Sequence, residues 1–275
     1  HADETTLQVL KEAGRTAQSK SYMWVFATGE TSRAPIRIFR YNAGRNGKVA
    51  ADFLGDYKGY LHTDGYSGYG KVEGISRCAC WSHVRRYFVD ALPKDSKNPE
   101  STLPKIGIAY CNKLFDIESD LKALSPEDRK TKRLELELPV LEAFWSWVED
   151  TLPKVLSKSK IGKALQYALN HKDWLMTYLK DGNCAISNNL AENSIRPFTV
   201  GRKNWLFSAS PAGADASAVV FSIVETAKAN GLNPHKYLEY LLREIPSMEI
   251  VKNKEELDSL LPWDPTIQAA CAVRN

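Results

Sequence analysis

The chain changes character at Pro93. Ahead of it, short runs rich in aromatic and β-branched residues are separated by turn residues. Behind it, apolar residues recur at helical spacing. A chain patterned this way folds as mixed α/β, with its sheet built from the first third of the sequence. Residues 22–28 (YMWVFAT) read as a strand closed by Gly29, and residues 36–41 alternate as the next strand, stopped at Asn42-Ala43-Gly44. Residues 48–54 read as a short helix. Residues 60–63 read as a strand running into Asp64-Gly65, residues 77–81 as another strand, and residues 83–92 as an amphipathic helix. With a first strand around Asp3, the order is strand, strand, strand, helix, strand, strand, helix.

That is also the order of the ribonuclease H-like fold, in which an acid on the first strand and an acid ending the fourth lie side by side. The expected fold class is therefore α/β: a ribonuclease H-like mixed sheet flanked by helices. Residues 1–92 form the first part of this core in that reading. Residues 93–181, punctuated by Pro99, Pro104, Pro126, Pro139 and Pro153, form an all-α insertion. Its core is expected to hold Trp145, Trp147 and Trp174. Residues 182–246 return to the core, with a short helix capped at Ser187 or Asn188 and ending near Arg196, before Pro197. Residues 212–229 and 234–245 read as two further helices. Residues 247–275 form a tail, pinned by the LLPW run from Leu260 to Trp263.

Seven Trp and twelve Tyr in 275 residues argue against disorder. No run reaches the roughly 18 apolar residues of a membrane span, so no membrane partner is expected. Five cysteines at irregular spacing give no disulfide framework and favour a reducing cytoplasm. The chain begins at His1 with Asp3 close behind, so a piece of a longer protein is expected. The net charge of +4 matters less than its distribution: residues 5–51 carry eight Lys/Arg against two Glu, and residues 193–214 carry Arg196, Arg202 and Lys203 with no acid. Such stretches suit a polyanion or simply solvate a surface.

Three carboxylates far apart in sequence stand in settings that suit a metal-dependent nuclease: Asp3 in HADET, Asp64 in HTDGYSGYG and Glu192 in NNLAENSIRPF. Two hard divalent ions held by carboxylates are sufficient for phosphodiester chemistry. Glu4 is an adjacent acid on the opposite strand face. Cys78, Cys80 and His83 spell C-x-C-x-x-H, one donor short of a structural zinc site and without a matching second pair. Arg196 follows Glu192 by one helical turn, placed either to contact a phosphate or to pair with the carboxylate. Arg202 and Lys203 beside Trp205 suit a DNA backbone and an unpaired base, although Trp205 also suits core packing. Arg85 and Arg86 either line a groove or solvate a helix face.

The strings HADET, HTDGYSGY, CWSHVRRYF, NNLAENSIRPFTVGRKNWLFSASPAGA and ETAKANGLNPHKYLEYLL, in this order, resemble the DDE transposase domain of the insertion-sequence-66 type. The resemblance runs from Asp3 to about Trp263. It implies that Asp3, Asp64 and Glu192 are the catalytic and metal-binding triad, with two Mg²⁺ or Mn²⁺ ions. It implies that His83, in the [C/D]-x-x-H element Cys80-Trp-Ser-His83, lies near the active site; the alternative is a buried strand-to-helix turn. Transposon ends and target DNA are the implied partners, bound by a homo-oligomer in the bacterial cytoplasm and nucleoid. The alternatives are a non-mobile metal-dependent DNA nuclease and an inactive DNA-binding remnant. Ala209 stands where family members usually carry Gly, and full-length members carry upstream segments for end recognition and oligomerisation.

Overall fold

The computed structural model describes residues 1–93, 102–248 and 254–273. The start of the expected insertion (94–101) and part of the expected tail (249–253) lie outside the described residues. The fold is mixed α/β and mostly helical, and the chain clusters into two compact units, residues 1–46 with 190–275 and residues 47–189.

The first unit is built on an antiparallel sheet of β1 (Ala2–Gln8), β2 (Lys20–Ala27) and β3 (Arg37–Asn42), in that spatial order. The register pairs Asp3 with Val25 and Val25 with Phe39. One face of this sheet, with Leu7, Met23, Val25 and Phe39, is covered by two helices, α8 (Asn189–Trp205) and α9 (Pro211–Ala229). Phe198 of α8 sits fully buried at this junction, edge-on to Trp205 and Phe221 with centroids 5.3 and 5.2 Å away.

The sequence predicts that α8 stops at Arg196, yet the helix runs through Pro197 to Trp205. Proline there removes the bond to the Asn193 carbonyl, at a cost of about 3 kcal/mol. Asn193 is exposed, so water can satisfy that carbonyl, while Ile195 and Phe198 on either side of the proline are buried. Burial of those two side chains offsets the break, at about 1.5–3 kcal/mol each. The helix ends where Leu206 takes φ = 63°, after which Ser208 donates its amide to Gln8 O at 2.9 Å.

Helix α9 also closes the outer edge of β3. Ser222 Oγ accepts the Phe39 amide at 2.7 Å, and Thr226 Oγ1 accepts the Arg37 amide at 3.0 Å. Two helix hydroxyls thus stand in for a further strand, one remedy for an open edge. Beyond α9, helices α10 (Pro234–Glu244) and α11 (Pro265–Cys271) enclose a small core with Ala227, Leu232, Tyr237 and Leu260. Tyr237 Oη donates to Leu260 O at 2.7 Å, so the LLPW run is anchored through its first residue.

The second unit opens with α1 (Lys48–Leu54), then β4 (Gly59–His62) and β5 (Ile75–Cys78), which pair in parallel with His62 opposite Cys78. Helix α2 (Trp81–Asp90) starts three residues after β5, earlier than residue 83, because Trp81 is a core residue, its indole donating to Leu175 O at 3.0 Å. The remaining helices are α3 (Leu103–Asp120), α4 (Pro126–Leu136), α5 (Leu138–Thr151), α6 (Lys160–Asn170) and α7 (Lys172–Met176). Pro104, Pro126 and Pro139 occupy helix first turns, where a missing N–H costs nothing. The core packs Trp81, Phe88, Phe144 and Trp145, with Trp147 and Trp174 half-buried against it.

A buried ionic knot fastens this unit. Arg133 is fully buried and grips Glu118 with two bonds of 2.5 and 2.8 Å, while donating to the carbonyls of Tyr178, Asp181 and Cys184. Beside it, burial, reinforced by Glu118, pushes the Glu137 carboxyl up to about 8. Tyr178 Oη donates to that carboxyl. Burial also holds the His62 imidazole down at about 3.

Phe198→Ala is expected to lower stability by about 3–5 kcal/mol through the cavity it leaves, read as a lower urea midpoint with an unchanged slope. The two shifted groups give opposite pH trends. His62 binds its proton less readily when folded, so stability rises from about pH 3 to 6.5. Glu137 keeps a proton that the unfolded chain loses near 4.5, so stability falls as pH rises towards 8. Above pH 6.5 only the fall remains, and Glu137→Gln should flatten it in urea titrations between pH 6.5 and 8.

Candidate active site

Asp3 is the second residue of β1, and alternation along the strand puts it on the face that carries Thr5 and Leu7. This is the face that α8 covers, since Leu7 shares its apolar cluster with Ala191, Ile195 and Phe198. Asp3 is half-buried, and its Oδ1 accepts the Glu4 amide at 2.9 Å. Glu192 is half-buried in the first turn of α8, where the helix dipole favours a negative charge. Asp3 and Glu192 therefore stand on two elements that pack on each other within one unit. Glu4 is committed elsewhere: its side chain is 1% exposed and takes two bonds from Arg45, 2.5 and 2.6 Å long.

Asp64 belongs to the second unit. Strand β4 ends at His62, the Thr63 amide still donates to Cys78 O at 3.0 Å, and the chain then turns. Asp64 Oδ1 accepts the Tyr66 amide at 2.9 Å, a local side-chain turn that fixes the carboxylate on its backbone. Arg77, on β5 and buried, holds this turn from within. Its Nε donates to Thr63 Oγ1 at 2.8 Å, and its Nη2 donates to the carbonyls of Asp64 and Tyr66, both at 2.7 Å. The guanidinium lies 4.1 Å from the Trp174 ring centroid. A planar fork with several donors is required here, which lysine does not provide. An arginine inside a four-residue strand was the available sequence signal, and sequence reasoning missed it.

Packing holds position 65 to glycine. A Cβ at this position would lie 2.9 Å from His171 Nε2 and 3.1 Å from Tyr167 Oη, so the turn after Asp64 is packed tightly against α6 and the residue following it.

The expected DNA-contacting cations divide into two groups. Arg196 and Lys203 on α8, and Arg86 on α2, are exposed. Arg202 instead turns inward, its Nη1 donating to Thr5 Oγ1 at 2.9 Å and to Thr6 O, and burial lowers its pKa. Arg85 Nε donates to Asn112 Oδ1 at 2.7 Å, joining α2 to α3. His83 is half-buried in the first turn of α2, with its amide on Cys80 O at 3.1 Å, and Cys80 Sγ accepts the Asn188 amide at 3.2 Å. Trp205 packs on Phe198 and, with Phe207, Ser208 and Gly213, lines a surface pocket of about 280 Å³.

Asp3, Asp64 and Glu192 are each half-buried, and a carboxylate oxygen is a ligand type that suits hard divalent cations such as Mg²⁺ or Mn²⁺. In comparisons with known proteins, a family model described as Transposase IS66 family matches residues 1–216, and one described as IS66 C-terminal element matches residues 222–263. Three proteins of Sinorhizobium fredii are similar over 96% of the chain: uncharacterized protein y4qI at 31% identity, y4jD at 29% and y4hP at 26%. The chain covers 50% of y4qI, 53% of y4jD and 50% of y4hP, and so spans about half the length of the curated relatives it matches. No solved structure matches.

Arg77→Ala is expected to cost about 1.5–3 kcal/mol, since it strips a charged donor from partly buried carbonyls, and to speed amide exchange at Tyr66. Arg77→Lys should recover only part of both effects, because it restores the charge without the fork.

Proposed function

The chain belongs to the transposase IS66 family, and from that premise we propose that it is the catalytic portion of a DNA transposase with a ribonuclease H-like core. Asp3, Asp64 and Glu192 are its DDE triad. The observation that carries this reading is the packing of the Glu192 helix on the Asp3-bearing face of β1.

In this reading the three carboxylates hold two Mg²⁺ or Mn²⁺ ions. Bound ions of this kind activate an attacking hydroxyl and stabilise the leaving oxygen. The chain's own residues position the DNA. The Asp64 turn, fixed by Arg77, presents its carboxylate on rigid backbone, and Glu192 is held by the buried side chains before and after it. Arg196 and Lys203 on α8 contact phosphates in this reading, as do Arg85, Arg86 and His83 on α2. Arg202 serves by clamping α8 to β1, a positioning role in place of the DNA contact expected from sequence. Water as nucleophile cuts the strand at the transposon end, and the freed 3′-hydroxyl then attacks target DNA. The protein works as a homo-oligomer on DNA in the bacterial cytoplasm. Among the described residues, no helix is long and apolar enough to cross a membrane.

Nicking of supercoiled plasmid by the chain should require Mg²⁺ or Mn²⁺. Asp64→Ala and Glu192→Ala should each reduce it by at least about a hundredfold, since such ions supply several kcal/mol to the transition state. No cleavage with any divalent ion, even in the full-length protein, would overturn the reading in favour of an inactive DNA-binding remnant. Cleavage without strand transfer of a matching terminal-repeat oligonucleotide would favour a non-mobile nuclease.

A further inference from the structure

The second unit contains a set of donors that the carboxylate chemistry does not use. His62, Cys78 and Cys184 bring one ligand atom each to within 4.8 Å of one another, and all three residues are buried. The two sulfurs are 4.0 Å apart. His62 and Cys78 are the last residues of β4 and β5 and are register partners, so the parallel pairing itself sets them side by side. Cys184 comes from far along the chain and is held by its backbone: its amide donates to Asp181 O at 3.0 Å, and its carbonyl accepts from Arg133 Nη2 at 2.8 Å.

We propose that His62, Cys78 and Cys184 form a binding site for a thiophilic divalent cation of the zinc class. The two thiols stand at hydrogen-bonding distance, and their spacing also bears on two further uses of the pair. A disulfide needs sulfurs about 2.05 Å apart, whereas two sulfurs each about 2.3 Å from a tetrahedral ion stand roughly 3.8 Å apart. The observed separation of 4.0 Å matches the second arrangement.

The histidine is arranged as metal-binding histidines usually are. Its Nε2 lies 2.9 Å from Ala185 O and 3.0 Å from Ala185 N, so either tautomer finds a partner. With the proton on Nε2 donated to the carbonyl, Nδ1 becomes the ligand, and the backbone fixes the ring. On binding, the two thiols release two protons, and two thiolates with one neutral imidazole neutralise the divalent charge. A neutral assembly avoids the large penalty of burying net charge. Water or a backbone carbonyl completes the tetrahedron. Sulfur donors reject Mg²⁺, so this ion and those expected at the carboxylates sort by hardness. His62 precedes Asp64 by two residues, and the ion would tie the end of β4 to the segment leading into α8. The proposal stands independently of the transposase reading.

The test is titration of the reduced, metal-free chain with Co²⁺. We expect thiolate-to-cobalt charge-transfer and tetrahedral d–d absorption saturating at one ion per chain, displaced by Zn²⁺ and not by Mg²⁺. The bands should be lost in Cys78→Ala and in Cys184→Ala, and kept in Cys111→Ala and Cys271→Ala, whose cysteines are also buried. The unfolding midpoint of the unaltered chain should rise with Zn²⁺ and not with Mg²⁺, a readout that needs no variant to fold. Absence of thiolate–cobalt absorption in the unaltered chain would overturn the proposal. So would bands that persist in a folded Cys78→Ala/Cys184→Ala double variant, or a Cys78–Cys184 disulfide in freshly purified protein.

Discussion

The packing of α8 on the three-stranded sheet is the contact on which the first unit rests. It buries Leu7, Val25 and Phe198 in one cluster, and in doing so fixes the strand of Asp3 against the helix of Glu192. The helix tolerates a proline in its middle because the side chains on both sides of it are buried. Arg202 then clamps its far end to β1. One apolar interface thus places two acids that are remote in sequence on neighbouring elements, leaving polar groups only the finer adjustment.

The second unit uses a different device twice. Arg77 and Arg133 are both buried cations, and Arg77 donates to two backbone carbonyls and Arg133 to three. Arg133 has a carboxylate partner in Glu118, which keeps its charge tolerable in the interior. Arg77 rests against Trp174 and Tyr69, whose ring faces attract a cation. In both cases a guanidinium hydrogen-bonds backbone carbonyls outside the α-helices and strands. The Asp64 turn and the segment around Cys184 are the two segments fixed in this way.

Local pattern was legible where local physics decides. The helix over residues 48–54 agrees to the residue and three of the strand runs agree to within one or two residues, because alternation and turn residues act over short range, whereas the run at 77–81 extends three residues past the end of β5. Pro197 misled because its local penalty is certain while the burial that outweighs it is tertiary. Arg133 carries no sequence signal of its structural role, since nothing in its neighbours announces which carbonyls will surround it, and Arg77 offers only its place inside a short strand. The C-x-C-x-x-H run drew attention to Cys80 and His83. The donors that converge within the second unit are His62, Cys78 and Cys184, joined by strand register and by a segment over a hundred residues later. The proposed triad rests on the resemblance of whole strings, because a lone carboxylate has no signature of its own.

The hydroxyls of Ser222 and Thr226 have a further consequence for how the sheet can grow. They bond the outward backbone groups of Arg37 and Phe39, so that stretch of the β3 edge is covered by side chains from a helix. A sheet covered on one side has a direction: any strand added to it, from this chain or another, joins beyond β1. That is the side bearing Asp3. The fold thereby confines the architectural freedom of the sheet to the strand where an acid is already waiting.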